Sequence, residues 1–377
     1  MSAQAIYLDS AASTCVDPRV LEAMLPWFQF PANPHARHHV HGAAAERAVS
    51  EAQNSVANAV NARPEEIIFT SGATEANNLA VHGISDYLLS KGKTHIIASA
   101  LEHSSVLQAI NCIDGFTVTM VPPKPCGMVE ASTIDPYLTE KTGLVCLQAV
   151  NNETGTVQPV KEVAALLAGR DILLHCDAAQ AIGKIPFDVV SASVDFASMS
   201  AHKVHGPQGI GALYLRAELQ KEVVPLLRGG GQQKNLRSGT LPTALCVGFG
   251  KACDILEINT ASQQALRHKF LGVLKQLGPV VYGHADEAWQ VPGILALRFP
   301  GIDSEALVMA LPEVSFGTGA ACSSSRNEYS HVISAIAGVE AARECVRISF
   351  SRMTSRAEVE EAAGMIQHAV SEMYQSR

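Results

Sequence analysis

The stretch Ser200-Ala201-His202-Lys203-Val204-His205-Gly206-Pro207-Gln208-Gly209 follows an apolar run, Val194–Met199, that reads as a buried strand. A lysine at such a strand end, flanked by a hydroxyl and an imidazole and followed by glycines, suits covalent capture of an aldehyde cofactor. The amine forms a Schiff base, Ser200 and His202 can hydrogen-bond a phosphate, and the glycines let backbone approach closely. The competing reading is a solvated lysine after an ordinary strand.

His175-Cys176-Asp177-Ala178-Ala179-Gln180 closes a second apolar run about one βα unit earlier. An Asp at a strand's C-terminal end can pair with the protonated pyridine nitrogen of pyridoxal phosphate and make the ring an electron sink. Gln180, read as one helical turn on, is placed to donate to the ring's phenolic oxygen. Alone, Asp177 reads equally well as the N-cap of a following helix. Two complementary groups in adjacent βα units favour the cofactor.

Working outward, residues 65–215 alternate short apolar runs with amphipathic stretches. The strand-like runs are Ile67–Thr70, His95–Ser99, Phe116–Val121, Leu144–Val150, Ile172–Cys176, Val194–Met199 and Gly211–Leu215, with helix-like segments such as Thr74–Leu89 and Val160–Ala168. This alternation predicts an α/β layer with a mainly parallel sheet, whose ligands bind beyond the carboxyl ends of the strands. After about residue 245, a long helix-like stretch, Ala244–Leu277, leads to strands at Ile294–Phe299 and Val346–Phe350 and a terminal helix, Arg356–Tyr374. That texture suggests a smaller α+β domain.

Other candidate groups fall at the same strand ends. Thr70-Ser71-Gly72-Ala73-Thr74-Glu75 stands between a strand and a helix, where free backbone N–H groups bind phosphate; the plainer reading is helix capping. His103 is placed to stack on a cofactor ring and relay protons, against the reading of an ordinary core histidine. Arg347, in a strand of the small domain, suits bidentate grip of an α-carboxylate, against an exposed strand arginine. Cys322 lies in Gly317-Thr318-Gly319-Ala320-Ala321-Cys322-Ser323-Ser324-Ser325, which has no apolar period. It is expected on a mobile, accessible loop, where a thiolate can attack. His35, His38, His39 and His41 lie in a loop without matching carboxylates or thiols, so loop and cleft-lining roles are expected instead of metal ligation.

The chain has 377 residues, 47% hydrophobic, and a net charge of −8. That is ample for a large core and argues against direct nucleic-acid binding, which needs a basic surface. No apolar stretch reaches about 18 uncharged residues and the N-terminus has no basic-then-apolar pattern, so neither a membrane span nor a secretory signal is expected. Nine scattered cysteines without a C-x-x-C pair fit a reducing cytoplasm.

Together these pieces resemble the cysteine desulfurases, in the aminotransferase class V group of fold-type I pyridoxal phosphate enzymes. The resemblance runs over nearly the whole chain, through Tyr7-Leu8-Asp9, Asn33-Pro34 with His39 and Gly42, Thr70–Glu75, Glu102-His103, Asn151-Asn152-Glu153-Thr154-Gly155, His175–Gln180, Ser200–Lys203, Arg237-Ser238-Gly239-Thr240, the Cys322 loop and Arg347. The loop around Cys322 resembles the branch with a long, mobile cysteine loop. The resemblance implies a large cofactor-binding α/β domain over 16–245 and a small α+β domain from 1–15 and 246–377 carrying that loop.

It also implies roles. Lys203 would carry pyridoxal 5'-phosphate, Asp177 would hold the pyridine nitrogen, Gln180 the phenolic oxygen and His103 the ring face. Ala73, Thr74, Ser200 and His202 would hold the phosphate, with Thr240 reaching the partner subunit's cofactor in a homodimer. Asn152 and Arg347 would meet the substrate, L-cysteine. Cys322 would take its sulfur as a persulfide, leaving L-alanine, and pass it to an acceptor protein. The chain stops soon after the last helix, where members feeding iron–sulfur scaffolds typically extend; this weakens the expectation of iron–sulfur assembly as the main destination of the sulfur and suits another pathway, such as DNA phosphorothioate modification or tRNA thiolation. The rival readings are a selenocysteine lyase and a non-catalytic, cofactor-binding docking protein.

Overall fold

The computed structural model describes residues 5–31, 33–318 and 329–376. After a two-residue strand, β1 (Ile6–Tyr7), the apolar runs become β2 (Ile67–Thr70), β3 (His95–Ser99), β4 (Thr117–Val121), β5 (Thr142–Cys146), β6 (Leu173–Asp177), β7 (Phe196–Ser200) and β8 (Gly211–Leu215). They form one sheet in the order β2-β8-β7-β6-β5-β3-β4. The five strands from β7 to β4 pair in parallel, while β8 runs antiparallel to both β2 and β7. Every residue of β5, β6 and β7 is buried, which is why these strands read as continuous apolar runs without alternation.

Both faces of the sheet are covered by helices: α1 (Pro18–Gln29), α2 (Val40–Ala59), α3 (Ala73–Gly83), α4 (Ser85–Ser90), α5 (Ser104–Asn111), α6 (Ala131–Ile134), α7 (Val160–Leu167) and α8 (Thr243–Asp254). One face buries Val56, Phe69, Val145, Met199 and Phe249, the other Ile68, Leu79, Ile96, Phe196 and Leu213. Alternate residues of each strand thus feed two separate cores.

The predicted single helix over Ala244–Leu277 is two helices, α8 and α9 (Thr260–Leu274). The break follows from Asn259, whose side chain accepts from the Ser262 N–H at 3.0 Å and starts α9 anew. The predicted helix over Thr74–Leu89 is likewise split into α3 and α4, where the Gly83 carbonyl accepts from the Val224 N–H at 2.8 Å. A Cβ on Gly83 would stand 2.7 Å from the Val223 side chain, so this close crossing requires glycine.

Beyond α9 come β9 (Val280–Tyr282), β10 (Ile294–Arg298), α10 (Ser304–Ala310), β11 (Val314–Ser315), β12 (Gly317–Thr318), α11 (His331–Ala337), α12 (Val339–Arg343), β13 (Cys345–Ser349) and α13 (Arg356–Gln375). An antiparallel sheet, β12-β13-β10-β9, packs with α9 and α13 around Phe270, Leu295, Phe299, Ile348 and Ile366. Leu8 buries in this same core and β1 pairs with β11, so the N-terminal segment joins it. No helix among the described residues is long and apolar enough to cross a membrane.

β2 is an edge strand, and a side chain closes its open side. Gln233 accepts from the Phe69 N–H at 2.7 Å and donates to the Phe69 carbonyl at 2.9 Å, as a neighbouring strand would. Three successive residues in left-handed backbone, Gln233, Lys234 and Asn235 (φ 50°, 59° and 65°), hold it there. Gln233→Ala is expected to leave both backbone groups unpaired and lower stability by about 1–2 kcal/mol. A denaturant midpoint unchanged from the wild type would contradict that role.

Candidate active site

The carboxyl ends of the parallel strands open onto a cavity of about 470 Å³. Lys203 lies there, three residues beyond β7, with Nζ 2.6 Å from the Ala11 carbonyl and 2.8 Å from that of Ala12. Asp177 closes β6 in the same cavity. Its Oδ1 accepts from the Ala179 N–H at 3.0 Å and its Oδ2 from Asn77 Nδ2 at 2.8 Å. The chain continues from Asp177 in turns, not in a helix, so neither the N-cap reading of Asp177 nor the helical spacing of Gln180 applies. Gln180 nevertheless lines the cavity; its Nε2 donates to the Ala11 carbonyl at 2.8 Å, and its Oε1 has no partner among the described residues.

At one end of the cavity, α3 begins at Ala73 with Gly72 as N-cap and no side-chain cap. The first-turn N–H groups of Ala73 and Thr74 thus present an anion cup, which the capping reading does not explain. A Cβ on Gly211 would stand 2.7 Å from the Gly72 backbone, so β8 can pass behind the cup only as glycine. Ser200 and His202 line the cavity too. Burial, with the charges of Lys203 and Lys184 adding, lowers His202 to about 4, so its imidazole is neutral at pH 7.

The cup has a support that the sequence does not announce. Arg237 grips Glu75 with two nitrogens, at 2.8 and 3.2 Å, and Glu75 accepts the Ser71 N–H at 2.7 Å. Burial works against the Glu75 carboxylate, but the Arg237 and Ser71 hydrogen bonds outweigh it and hold its pKa below the ordinary value. Arg237 belongs to the Arg-Ser-Gly-Thr segment, which thus meets the cup through a carboxylate. Thr240 in that segment is exposed and does not line the cavity.

His103 caps α5 and faces the cavity; burial lowers its pKa, and Lys203, His331 and Arg347 add to that against the opposing charge of Asp177. Arg347 is 2% exposed, which excludes the exposed-strand reading. Its Nη2 donates to Asp9 at 2.8 Å and its Nη1 to the Asn152 carbonyl at 3.3 Å, while Nε has no partner among the described residues. Asn152 and Arg347 both line the cavity. His35, His38, His39 and His41 do not, contrary to the cleft-lining expectation: His39 caps α2 by accepting the Gly42 N–H at 3.0 Å, and His35 lines a separate cavity with Arg37 and Gln233. Cys322 lies outside the described residues.

These groups fit pyridoxal phosphate: an amine, a carboxylate, an imidazole and a helix N-terminus meet in one cavity, with a buried guanidinium opposite. The chain belongs to the aminotransferase class-V family, whose pattern matches residues 6–361. Its relatives there are cysteine desulfurases. It is similar to cysteine desulfurase IscS of Rickettsia rickettsii, 42% identical over 369 residues, covering 96% of this chain and 90% of that one. Among solved structures it is similar to a NifS-like protein (TM-score 0.89, 32% identity, 98% of this chain and 100% of that one). It is also similar to SspA in complex with cysteine (TM-score 0.81, 36% identity, 91% of this chain and 98% of that one).

Glu102, next to His103, is fully buried; Oε1 accepts the Gln148 N–H at 2.7 Å, and Oε2 has no partner among the described residues. Burial, with the nearby charge of Asp177, raises it to about 8. Because the folded value is raised, its contribution to stability is full below the ordinary value of 4.5 and is lost as pH climbs through about 8. Glu102→Gln, which keeps the acceptor for Gln148 without the titration, is therefore expected to fold and to flatten the loss of stability between pH 4.5 and about 8. Unfolding midpoints measured across that range check it; an unchanged slope would show that Glu102 is not the titrating group.

Proposed function

We propose that this protein converts L-cysteine to L-alanine and holds the sulfur as a persulfide on Cys322 before passing it to an acceptor protein. The observation that carries the proposal is the convergence of Lys203, Asp177, His103 and Arg347 on one cavity. Pyridoxal 5'-phosphate bound there supplies an electron-withdrawing ring that weakens the bonds of the substrate's α-carbon and, through it, the carbon–sulfur bond. Lys203 would hold it covalently, Asp177 its pyridine nitrogen, Gln180 its phenolic oxygen and His103 its ring. Ala73, Thr74, Ser200 and His202 would hold its phosphate, together with Thr240 of the partner subunit.

Arg347 receives the α-carboxylate of cysteine. Its side chain is out of water, fixed by Asp9 and the Asn152 carbonyl, and its Nε is the donor that a carboxylate satisfies. Asn152, beside it, orients the substrate. His103, which burial holds below its ordinary pKa, gives up a proton readily once its ring carries two, and so returns one to the product. The Cys322 thiolate attacks the substrate sulfur: a sulfur–sulfur bond forms, the carbon–sulfur bond breaks, and the carbon takes a proton to become alanine. Cysteine plus thiol gives alanine plus persulfide, so no external oxidant or reductant enters.

Both flanks of residues 319–328 are tied beside this cavity, which supports the role of Cys322. Gly317 stands opposite Arg347 in the β12–β13 ladder. On the other side Ser330 donates to buried Glu153, and His331 Nε2 donates to the Glu102 carbonyl at 3.0 Å.

We further assign residues 16–245 to a cofactor-binding domain and 1–15 with 246–377 to a smaller one, with α8 packed on the larger. A homodimer is favoured by α1, which leaves Leu21, Leu25 and Phe28 about half exposed at helical spacing. The eight described cysteines are free, in keeping with action in a reducing cytoplasm.

Cys322→Ser is expected to keep the yellow colour of the bound cofactor and to lose alanine formation and the thiol-labile sulfur, both by at least 100-fold. Alanine formed from cysteine at the wild-type rate by this variant would overturn the persulfide role. Lys203→Ala is expected to lose the visible band while remaining folded; borohydride trapping of the cofactor on another lysine would overturn that assignment.

A further inference from the structure

His103 and Asp177 sit on different elements, one capping α5 and one ending β6, yet both lead to the same buried amide. Asn77 lies mid-way along α3 with no exposed surface. Its Nδ2 donates to Asp177 Oδ2 and to Ser105 Oγ, both at 2.8 Å. Ser105 Oγ in turn lies 2.8 Å from His103 Nδ1, which also accepts the Ser105 backbone N–H at 3.1 Å.

The chemistry of these groups leaves one direction for each bond. An ionised carboxylate only accepts, so the Asn77 amide must turn its NH₂ toward Asp177. The second N–H of that NH₂ occupies Ser105 Oγ as an acceptor, which leaves the hydroxyl hydrogen for His103 Nδ1. The Ser105 backbone N–H cannot reverse, so Nδ1 faces two donors and carries a lone pair. Asn77 Oδ1 is buried with no partner among the described residues. An asparagine is a poor choice inside a helix and a costly one in a core when half its amide is unpaired. The residue is explained by what its NH₂ holds.

We propose that Asn77 and Ser105 are positioning residues forming a one-way chain, from Asn77 to Asp177 on one side and through Ser105 to His103 on the other, that reserves Nδ1 of His103 as an acceptor and keeps its proton on Nε2. The proposal rests on the reading of His103 and Asp177 as the pair that flanks the cofactor. It adds that neutral His103 presents Nε2–H as a donor, with its one lone pair held at Nδ1, and that its tautomer is tied to the residue holding the pyridine nitrogen. The charged groups around His103 from other elements are Asp177, Lys203, His331 and Arg347. The three cationic or ionisable bases disfavour its protonation, Asp177 favours it, and the two donors on Nδ1 act with the former.

The test is ¹⁵N NMR of the holoenzyme labelled in histidine, with the His103 signals assigned by their loss in His103→Gln. The wild type is expected to show an unprotonated, hydrogen-bonded Nδ1 and a protonated Nε2 at neutral pH. Asn77→Ala frees Ser105 Oγ to accept from a protonated Nδ1, so the His103 midpoint should rise by about one pH unit. In a Ser105→Ala background the same substitution should move it by less than a third as much, because the path runs through that hydroxyl. A wild-type ring carrying its proton on Nδ1 overturns the proposal, and this needs no variant to fold. So does an Asn77→Ala shift that is absent, or that persists undiminished without the Ser105 hydroxyl. Failure of the cofactor reading is separate: it would appear as a wild-type protein without a visible band, in which the His103 tautomer can still be measured.

Discussion

The β6–β7 ladder, with Asp177 opposite Ser198, is the constraint on which the site depends. Parallel pairing brings both carboxyl ends to one edge, so a carboxylate at the end of one strand and a lysine just past the other arrive together. The strands hold this register because every residue in both is buried. A slip by one residue would turn Asp177 into the core and send an apolar side chain to the cavity. The cavity is therefore as rigid as the sheet beneath it, and its remaining groups need only reach the same edge.

What reaches that edge is then sorted by water. Glu102, Glu153 and His175 are all removed from solvent, and burial pushes each toward its neutral form: Glu102 to about 8, Glu153 to about 7, and His175 well below its ordinary value. Arg347 stays paired with Asp9, and Glu75 with Arg237. Charge at the site is thus confined to a few groups with defined partners, in surroundings where each interaction is stronger than in water. The two raised acids serve as hydrogen-bonding anchors, Glu102 for the Gln148 backbone and Glu153 for Ser330 at the start of α11.

Much of this was legible beforehand. The seven strand-like runs all correspond to strands of one sheet; six of them are buried throughout and leave an apolar record that needs no partner to interpret, while the edge strand β4 is mostly exposed or half-buried. Lys203, Asp177, His103 and the Ser71–Thr74 turn stood out because each couples a chemistry-bearing side chain to a strand end. The single helices expected over Thr74–Leu89 and Ala244–Leu277 failed for a different reason. Their breaks depend on Val223 pressing on Gly83 and on the cap of Asn259, and helical periodicity carries across such interruptions.

The sequence by itself determined the alternation of the large layer, the residue types needed for a carbonyl cofactor, and the family to which they belong. These are local properties, written in short windows of apolar periodicity and motif spacing. Only the tertiary structure decided that Arg347 is buried against Asp9, 338 positions away, that Glu75 is held by Arg237, and that Asn77 joins Asp177 to Ser105. Each is a polar contact between distant segments, and a single sequence holds no trace of which buried polar group will find which partner. Asn77 illustrates the difference: in the sequence it is an unfavourable residue inside a helix, and in the fold it is the donor on which two sides of the site converge.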